Sequence, residues 1–327
     1  MFDIPAAGMT QRPRHVFILL SSRSLPYAHL CVRTMLANSA EPIRLRLLGD
    51  DPADVARLAE GVADIAVPAG CTLDFLSKND VTDQLSSRYP QYRGLFALHD
   101  GHPCWRKIID PLILSEPDEE VIVTDPDLFF PNRYTFEPTP AAGVMMMRQG
   151  PNCLYPPDAV RQAFDLDVKL ANHVDIGVAQ VRTGAVDLDW LDWLTSKLDL
   201  QRFRPFMHIE AIIWSAMAMR MGGEHLNPSV WRCWERGKIK RLAVALGMPG
   251  LWTLKLEALD RLKCIHVSGP SKWWVKDALE RGVLREFHNP ILAPVPGVPY
   301  RELTRSQFEN EQRLKRAIAA TGLVKVG

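Results

Sequence analysis

The chain has 327 residues, 47 % of them hydrophobic and 24 % charged, with a formal net charge of +1. That size allows one large α/β domain or two modest ones, and the composition supports a core without staples. Near-neutral charge excludes nucleic-acid binding through bulk electrostatics, which relies on many phosphate contacts.

The opening residues, MFDIPAAGMTQRPRH, lack the basic-then-apolar order of a signal peptide. Residues 15–22 (HVFILLSS) read as a buried strand and 26–38 as a helix; 42–51 read as a second strand. Asp51-Pro52 supplies an N-cap and a first-turn proline for the next helix. A short strand is expected at 63–68. Residues 104–116 have helical apolar spacing, in which Pro111 must kink the helix or mark its first turn. The run EEVIVTD (119–125) is the next strand. This order predicts a mostly parallel or mixed central sheet flanked by helices. Strands are also expected at 141–148 and 174–183, the latter with an internal glycine. A buried helix follows at 208–223, and a strand at 263–269. Residues 288–300 read as a proline-rich connector without regular structure. The tail, 304–322, starts with a capping-box pattern from Thr304 to Gln307 and reads as a helix.

Six scattered cysteines (Cys31, Cys71, Cys104, Cys153, Cys233, Cys264) include no Cys-x-x-Cys pair. Free thiols in a reducing compartment fit that spacing better than disulfides or a zinc site. The longest nearly apolar stretch, 242–254, is shorter than the roughly 20 residues of a membrane span and is broken by Gly-Met-Pro-Gly. A cytoplasmic protein is expected. Residues 231–263 carry eight Lys or Arg against three acids. They read either as a solvated face or as a peripheral contact with an anionic membrane.

Asp125 and Asp127 stand one residue apart at the carboxyl end of a buried strand, where open parallel sheets bind ligands. Both carboxylates can reach one cation, and magnesium or manganese favours oxygen ligands. A solvated turn explains the same three residues equally well. His266 lies in a strand-like run followed by Gly269, Lys272 and two tryptophans. A core histidine is the plain reading. Gly269, however, allows close backbone approach and Lys272 can neutralise phosphate. Glu210, among Ile, Trp and Met on its helix, is a carboxylate that needs a partner.

The order of these segments resembles the A-type-fold glycosyltransferases, in particular the glycogenin-like family 8 of retaining enzymes, over about residues 15–274. ILLSSRSLPYAHLCVRTMLAN is similar to the family's first strand and helix, with Tyr27 at the position of its usual tyrosine. WRKIIDPLI resembles the segment with a basic residue, here Lys107. VIVTDPDLFF matches the D-x-D segment, VDIGVAQV the Asn-x-Gly-Val strand, HIEAIIWS the acidic helix, and IHVSGPSKWW the closing motif. The resemblance implies a domain over 1–287, with 288–327 as connector and C-terminal helix. It implies a nucleotide-diphospho-sugar donor, such as a UDP-sugar, and transfer to a glycan or glycoconjugate acceptor with retention. Asp125, Asp127 and His266 would hold manganese or magnesium, and Lys272 with the Gly269 backbone would take the diphosphate.

Departures from the family are specific. Ser21 and Ser22 stand where an aspartate usually meets the base, Asp175 replaces the asparagine, and Ala211 stands in the place of a glutamine. Glu210, Asp175 and Lys272 are thereby the candidates for chemistry. A sugar-1-phosphate nucleotidyltransferase is an alternative that lacks its glycine-rich loop here. A degenerate fold that binds nucleotide or a partner without turnover is another.

Overall fold

The computed structural model describes residues 12–150, 152–234, 248 and 250–320. The first half alternates as expected: β1 (Arg14–Leu19), α1 (Leu25–Asn38), β2 (Ile43–Leu48), α2 (Pro52–Gly61), β3 (Thr72–Leu76). The Asp51 carboxylate caps α2 by accepting from the Asp54 amide at 2.7 Å. Residues 63–68 are not a strand. Ala63 and Ile65 donate into turns closing α2, Pro68 has no amide for a ladder, and Gly70 turns the chain at φ +83°. The strand begins only at Thr72.

Two helices that the sequence did not announce come next, α3 (Lys78–Arg88) and α4 (Arg93–His99), the first started by a capping box between Ser77 and Asp80. In α5 (Arg106–Ile113) Pro111 sits inside the helix rather than in its first turn. Then come β4 (Glu120–Thr124), β5 (Leu128–Phe129), β6 (Arg133–Tyr134), β7 (Val144–Arg148), α6 (Pro157–Asp165), β8 (Leu170–Ala171) and β9 (Val174–Arg182). They are followed by α7 (Leu188–Lys197), α8 (Leu200–Phe203), α9 (Ile209–Met221), β10 (Gly223–His225), β11 (Trp231–Cys233) and β12 (Cys264–His266). The chain closes with α10 (Val275–Glu280), β13 (Pro290–Ile291), β14 (Val298–Pro299), β15 (Glu302–Leu303) and α11 (Arg305–Ala320).

The main sheet runs β3-β2-β1-β4-β9-β7-β11-β12-β5. It is mixed, because β9 lies antiparallel to β4 and β7, and β5 antiparallel to β12. Alternate residues feed opposite layers. Val16, Ile18 and Ile122 pack with α1 and α2, whereas Phe17, Val121 and Val123 pack with α3, α4, α5, α7 and α9. The proline-rich stretch is not wholly irregular: β13 pairs with β6 and β14 with β10. Thr304 and Gln307 form the expected reciprocal cap of α11. Residues 235–247 and 249 of the basic segment, and 321–322 of the expected tail helix, lie outside the described residues. Among the described residues no helix is long and apolar enough to cross a membrane.

Below the sheet, Lys263 Nζ lies 2.8 Å from Glu137 Oε1, and both side chains are buried. Glu137 also accepts from Trp231 Nε1 and the Val295 amide, each at 2.9 Å. Removing the ammonium alone strands a buried carboxylate. Lys263→Met should therefore lower unfolding stability by about 3–5 kcal/mol in urea titration, and adding Glu137→Gln should recover part of the loss. A loss that the second substitution deepens would assign the effect to packing instead.

Candidate active site

Strand order reverses at β1 and β4, and such a switch point opens a crevice beyond the carboxyl ends of the strands. Asp125-Pro126-Asp127 leads from β4 into that crevice. The Asp125 amide donates to the Gly177 carbonyl (2.9 Å) and the Val267 amide to the Asp127 carbonyl (3.0 Å), so both sides of the tripeptide are pinned. Next, β5 pairs with β12 so that Leu128 faces His266. This register sets His266 Nε2 3.1 Å from Asp127 Oδ1 and 3.6 Å from Asp125 Oδ2.

Behind the imidazole, the ladder between β7 and β9 slips after Met146 and brings Asp175 opposite Met147. Such a bulge re-aims a side chain. Asp175 Oδ2 ends 2.9 Å from His266 Nδ1. The glycine inside β9 is required: a Cβ on Gly177 would fall 2.5 Å from His266 Nδ1. Burial opposes the charged imidazole, yet Asp175 and Asp127 raise its pKa well above the ordinary histidine value. Burial also opposes the Asp175 carboxylate, which His266 nonetheless holds below the usual range.

Ligand atoms of Asp125, Asp127 and His266 lie within 4.8 Å of one another. Two carboxylates and an imidazole suit magnesium or manganese. Asp127 Oδ1 is buried without an aligned hydrogen bond, which leaves a lone pair for a cation. Asp175, on the far nitrogen, would fix the ring's orientation and tautomer. A second grouping, Asp175, Cys233 and His266, shares that histidine. Burial pushes the Cys233 thiol up to about 12, and this sulfur ligand suits softer ions than magnesium or manganese.

The apolar residues Ile108, Ile109, Leu112 and Ile113 of α5 enter the core and leave Lys107 at the strand ends. Its Nζ lies 2.6 Å from Asp125 Oδ1 and 2.7 Å from Glu210 Oε1. Glu210 sits in the first turn of α9, whose approach is fixed by Trp105 Nε1 donating to the Phe206 carbonyl at 3.0 Å. Two carboxylates thus share one ammonium. Burial works to lower the Lys107 pKa, but Asp125 and Glu210 together raise it well above its ordinary value. Burial, opposed by Lys107 and reinforced by Asp125, pushes the Glu210 carboxyl up to about 8.

These groups line a cleft of about 920 Å³. Ser21, Ser22 and Tyr27 border one end, Gly269 and Lys272 stand by the aspartates, and Met207 and His208 flank Glu210. Every candidate site residue named from the sequence therefore lines one cleft. Gly269 takes the left-handed φ of +64°. Lys272 Nζ lies 5.0 Å from the centre of the Tyr27 ring. Burial works to lower its pKa, but Tyr27 and Asp127 raise it, so the ammonium stays charged.

The loop after β2 contributes groups that sequence reasoning missed. Just beyond it, in the first turns of α2, Asp54 accepts from the Ser22 amide (3.0 Å) and from Arg57 Nη2 (3.3 Å), tying that helix to the serines. Arg106 donates to Asp50 (2.9 Å) and Asp110 (2.7 Å), which locks α5 beside it. The available signal was the Asp50-Asp51 pair at the end of a strand, which reads as a helix cap alone. His208, which lines the cleft two residues before Glu210, was missed too; partial desolvation lowers its pKa.

The sequence matches no protein-family model and no curated protein. Among solved structures, mouse xyloside xylosyltransferase 1 in its apo form aligns with 78 % of this chain and 97 % of its own. Identity is 13 % and the TM-score 0.50. The fold is that of the A-type glycosyltransferases. The galactosyltransferase LgtC, in complex with donor and acceptor sugar analogues, covers 84 % of this chain and 97 % of its own at 12 % identity, with a TM-score of 0.45. That score is too low to carry weight. The likeness speaks for the fold and leaves the chemistry to the site's own residues.

The raised Glu210 pKa makes a signed prediction for the metal-free protein. A carboxyl whose folded pKa lies above its unfolded value binds more protons when folded, so its contribution is complete below about 4.5 and is lost as the pH rises to about 8. Denaturation of the wild type and Glu210→Gln between pH 5 and 9 should shift the stability difference toward the variant, by on the order of 1 kcal/mol or more. A difference independent of pH would mean that Glu210 titrates normally.

Proposed function

We propose that the chain is a metal-dependent glycosyltransferase. It would move a sugar from a nucleotide-diphospho-sugar, with UDP-sugars the first donors to test, onto a glycan or glycoconjugate in polysaccharide synthesis. Membership of the glycogenin-like group, retention of configuration and a cytoplasmic location belong to the same reading. So does a peripheral membrane contact through 231–263. The observation that carries the proposal is the set Asp125, Asp127 and His266 at the switch point, with the Lys272 ammonium beside it.

A manganese or magnesium ion held by those three residues would neutralise oxygens of the departing diphosphate. Lys272 adds a fixed positive charge for the same group, and the left-handed backbone at Gly269 allows phosphate to approach closely. Ser21, Ser22 and Tyr27 border the nucleoside. Glu210 faces the sugar, where a carboxylate offsets positive charge growing at the anomeric carbon. In the transfer, the acceptor oxygen bonds the anomeric carbon as the bond to the β-phosphate oxygen breaks. The acceptor proton leaves to the departing diphosphate. Asp175 acts through His266 by holding the ring, and Lys107 holds Asp125 and Glu210 in register.

Calorimetry with UDP and manganese on Asp127→Asn tests the metal site. Metal-dependent binding should be lost while the thermal transition stays cooperative; unchanged affinity would return the aspartates to an ordinary turn. Lys272→Ala separates binding from turnover. With a cognate donor it should raise the barrier by about 2–4 kcal/mol, with a smaller loss of donor affinity. Turnover within a few-fold of wild type would remove Lys272 from the reaction.

A further inference from the structure

Beside the donor cleft lies a second groove of about 480 Å³, walled by residues of α6, α8 and α11. The linings of the two hollows adjoin along the chain at residues 206–208. Phe206 lines the groove, while Met207 and His208 line the cleft next to Glu210. Tyr155 spans the divide, its ring edge-on to Phe206 at 5.5 Å and to His208 at 6.0 Å between centres. Tyr155 and Met207 are each 46 % exposed. Large apolar side chains left in water beside a reactive cleft mark a surface that a ligand covers.

The groove's charge is one-sided, with Arg161, Arg202 and Arg316 against a single lining carboxylate, Asp158. Asp158 bridges Arg161 (3.1 Å) and Arg202 (2.6 Å), and Glu309 takes the other side of Arg161 (2.8 Å). Arg316 Nε reaches only the Gln312 carbonyl of its own helix, at 3.4 Å, and no ion pair among the described residues holds it. Guanidinium groups in this position suit carboxylate or sulfate oxygens, which they meet in a planar, bidentate way. Tyr155 and Phe206 offer ring surfaces on which the apolar faces of sugars can lie.

We propose that this groove is the distal acceptor subsite and that the acceptor is an acidic oligosaccharide. Its sugar rings lie on Tyr155 and Phe206, and its acidic groups meet Arg202 and Arg316. Its reactive end passes Met207 and His208 to reach Glu210. The word acceptor rests on the transfer reaction proposed above, whereas the preference for an acidic glycan rests on the groove alone.

The test is calorimetry on the full chain with a galacturonate hexasaccharide, with neutral maltohexaose, and with UDP plus manganese. The uronate should bind at least about tenfold more tightly than the neutral sugar and should weaken as salt is added. Tyr155→Ala and Arg316→Glu should each weaken uronate binding by about tenfold or more, and leave UDP affinity at the wild-type value. Absent uronate binding, equal affinity for the neutral sugar, or indifference to both substitutions would each overturn the subsite. Uronate binding that follows the groove while UDP and manganese fail to bind would instead overturn the donor reading and keep the groove as a glycan site.

Discussion

Four carboxylates, three of them buried (Asp127, Asp175 and Glu210) and one partly exposed (Asp125), stand together at the base of the cleft, and the cleft is built around keeping them there. An unpaired buried carboxylate costs several kcal/mol even after relaxation. The fold answers by alternating charges: Glu210, Lys107, Asp125, His266 and Asp175 follow one another at contact distance, with Asp127 on the same imidazole. A histidine that ligates metal must be neutral. The four negative charges would then be matched by Lys107, Lys272 and the double charge of a bound ion. On the proposed reading, a dication would complete that balance.

Holding that chain of charges needs rigid backbone, because an ångström of slack would unpair a buried group. The strands provide it. The aspartate turn is tied to β9 on one side and to β12 on the other. The bulge in the β7–β9 ladder turns Asp175 toward the imidazole, and Gly177 leaves the space that the imidazole fills. Arg106, locked to Asp50 and Asp110, fixes the start of α5 and with it Lys107. Each tie joins a polar group of the cleft to an element whose other face lies in the apolar core.

How much of this was legible in the sequence depends on the range of the interaction. The β-branched run before Asp125, the Asp51 cap and the Thr304–Gln307 box are local patterns, and each appears where expected. Residues 63–68 alternate like a strand as well as Thr72–Leu76 do; only the second meets β2. Helix α3 buries just Val81 and Leu85, too faint an apolar stripe to announce itself. The pairing of His266 with Asp175 joins residues 91 apart, and only strand register brings them into contact. Residue types could name the candidates, but the sharing of Lys107 between two carboxylates required the fold.

The sharing of Lys107 also couples the two ends of the proposed reaction. The push that raises Glu210 comes from burial and from Asp125, the same carboxylate that would ligate the ion. Positive charge arriving at Asp125 cancels that push. The same positive charge also attracts the Glu210 carboxylate directly through space. Both effects favour the ionised form of Glu210. Ion binding at Asp125 would then shift Glu210 further toward its ionised form. Such linkage needs no conformational change: one ammonium between two carboxylates is enough to carry it.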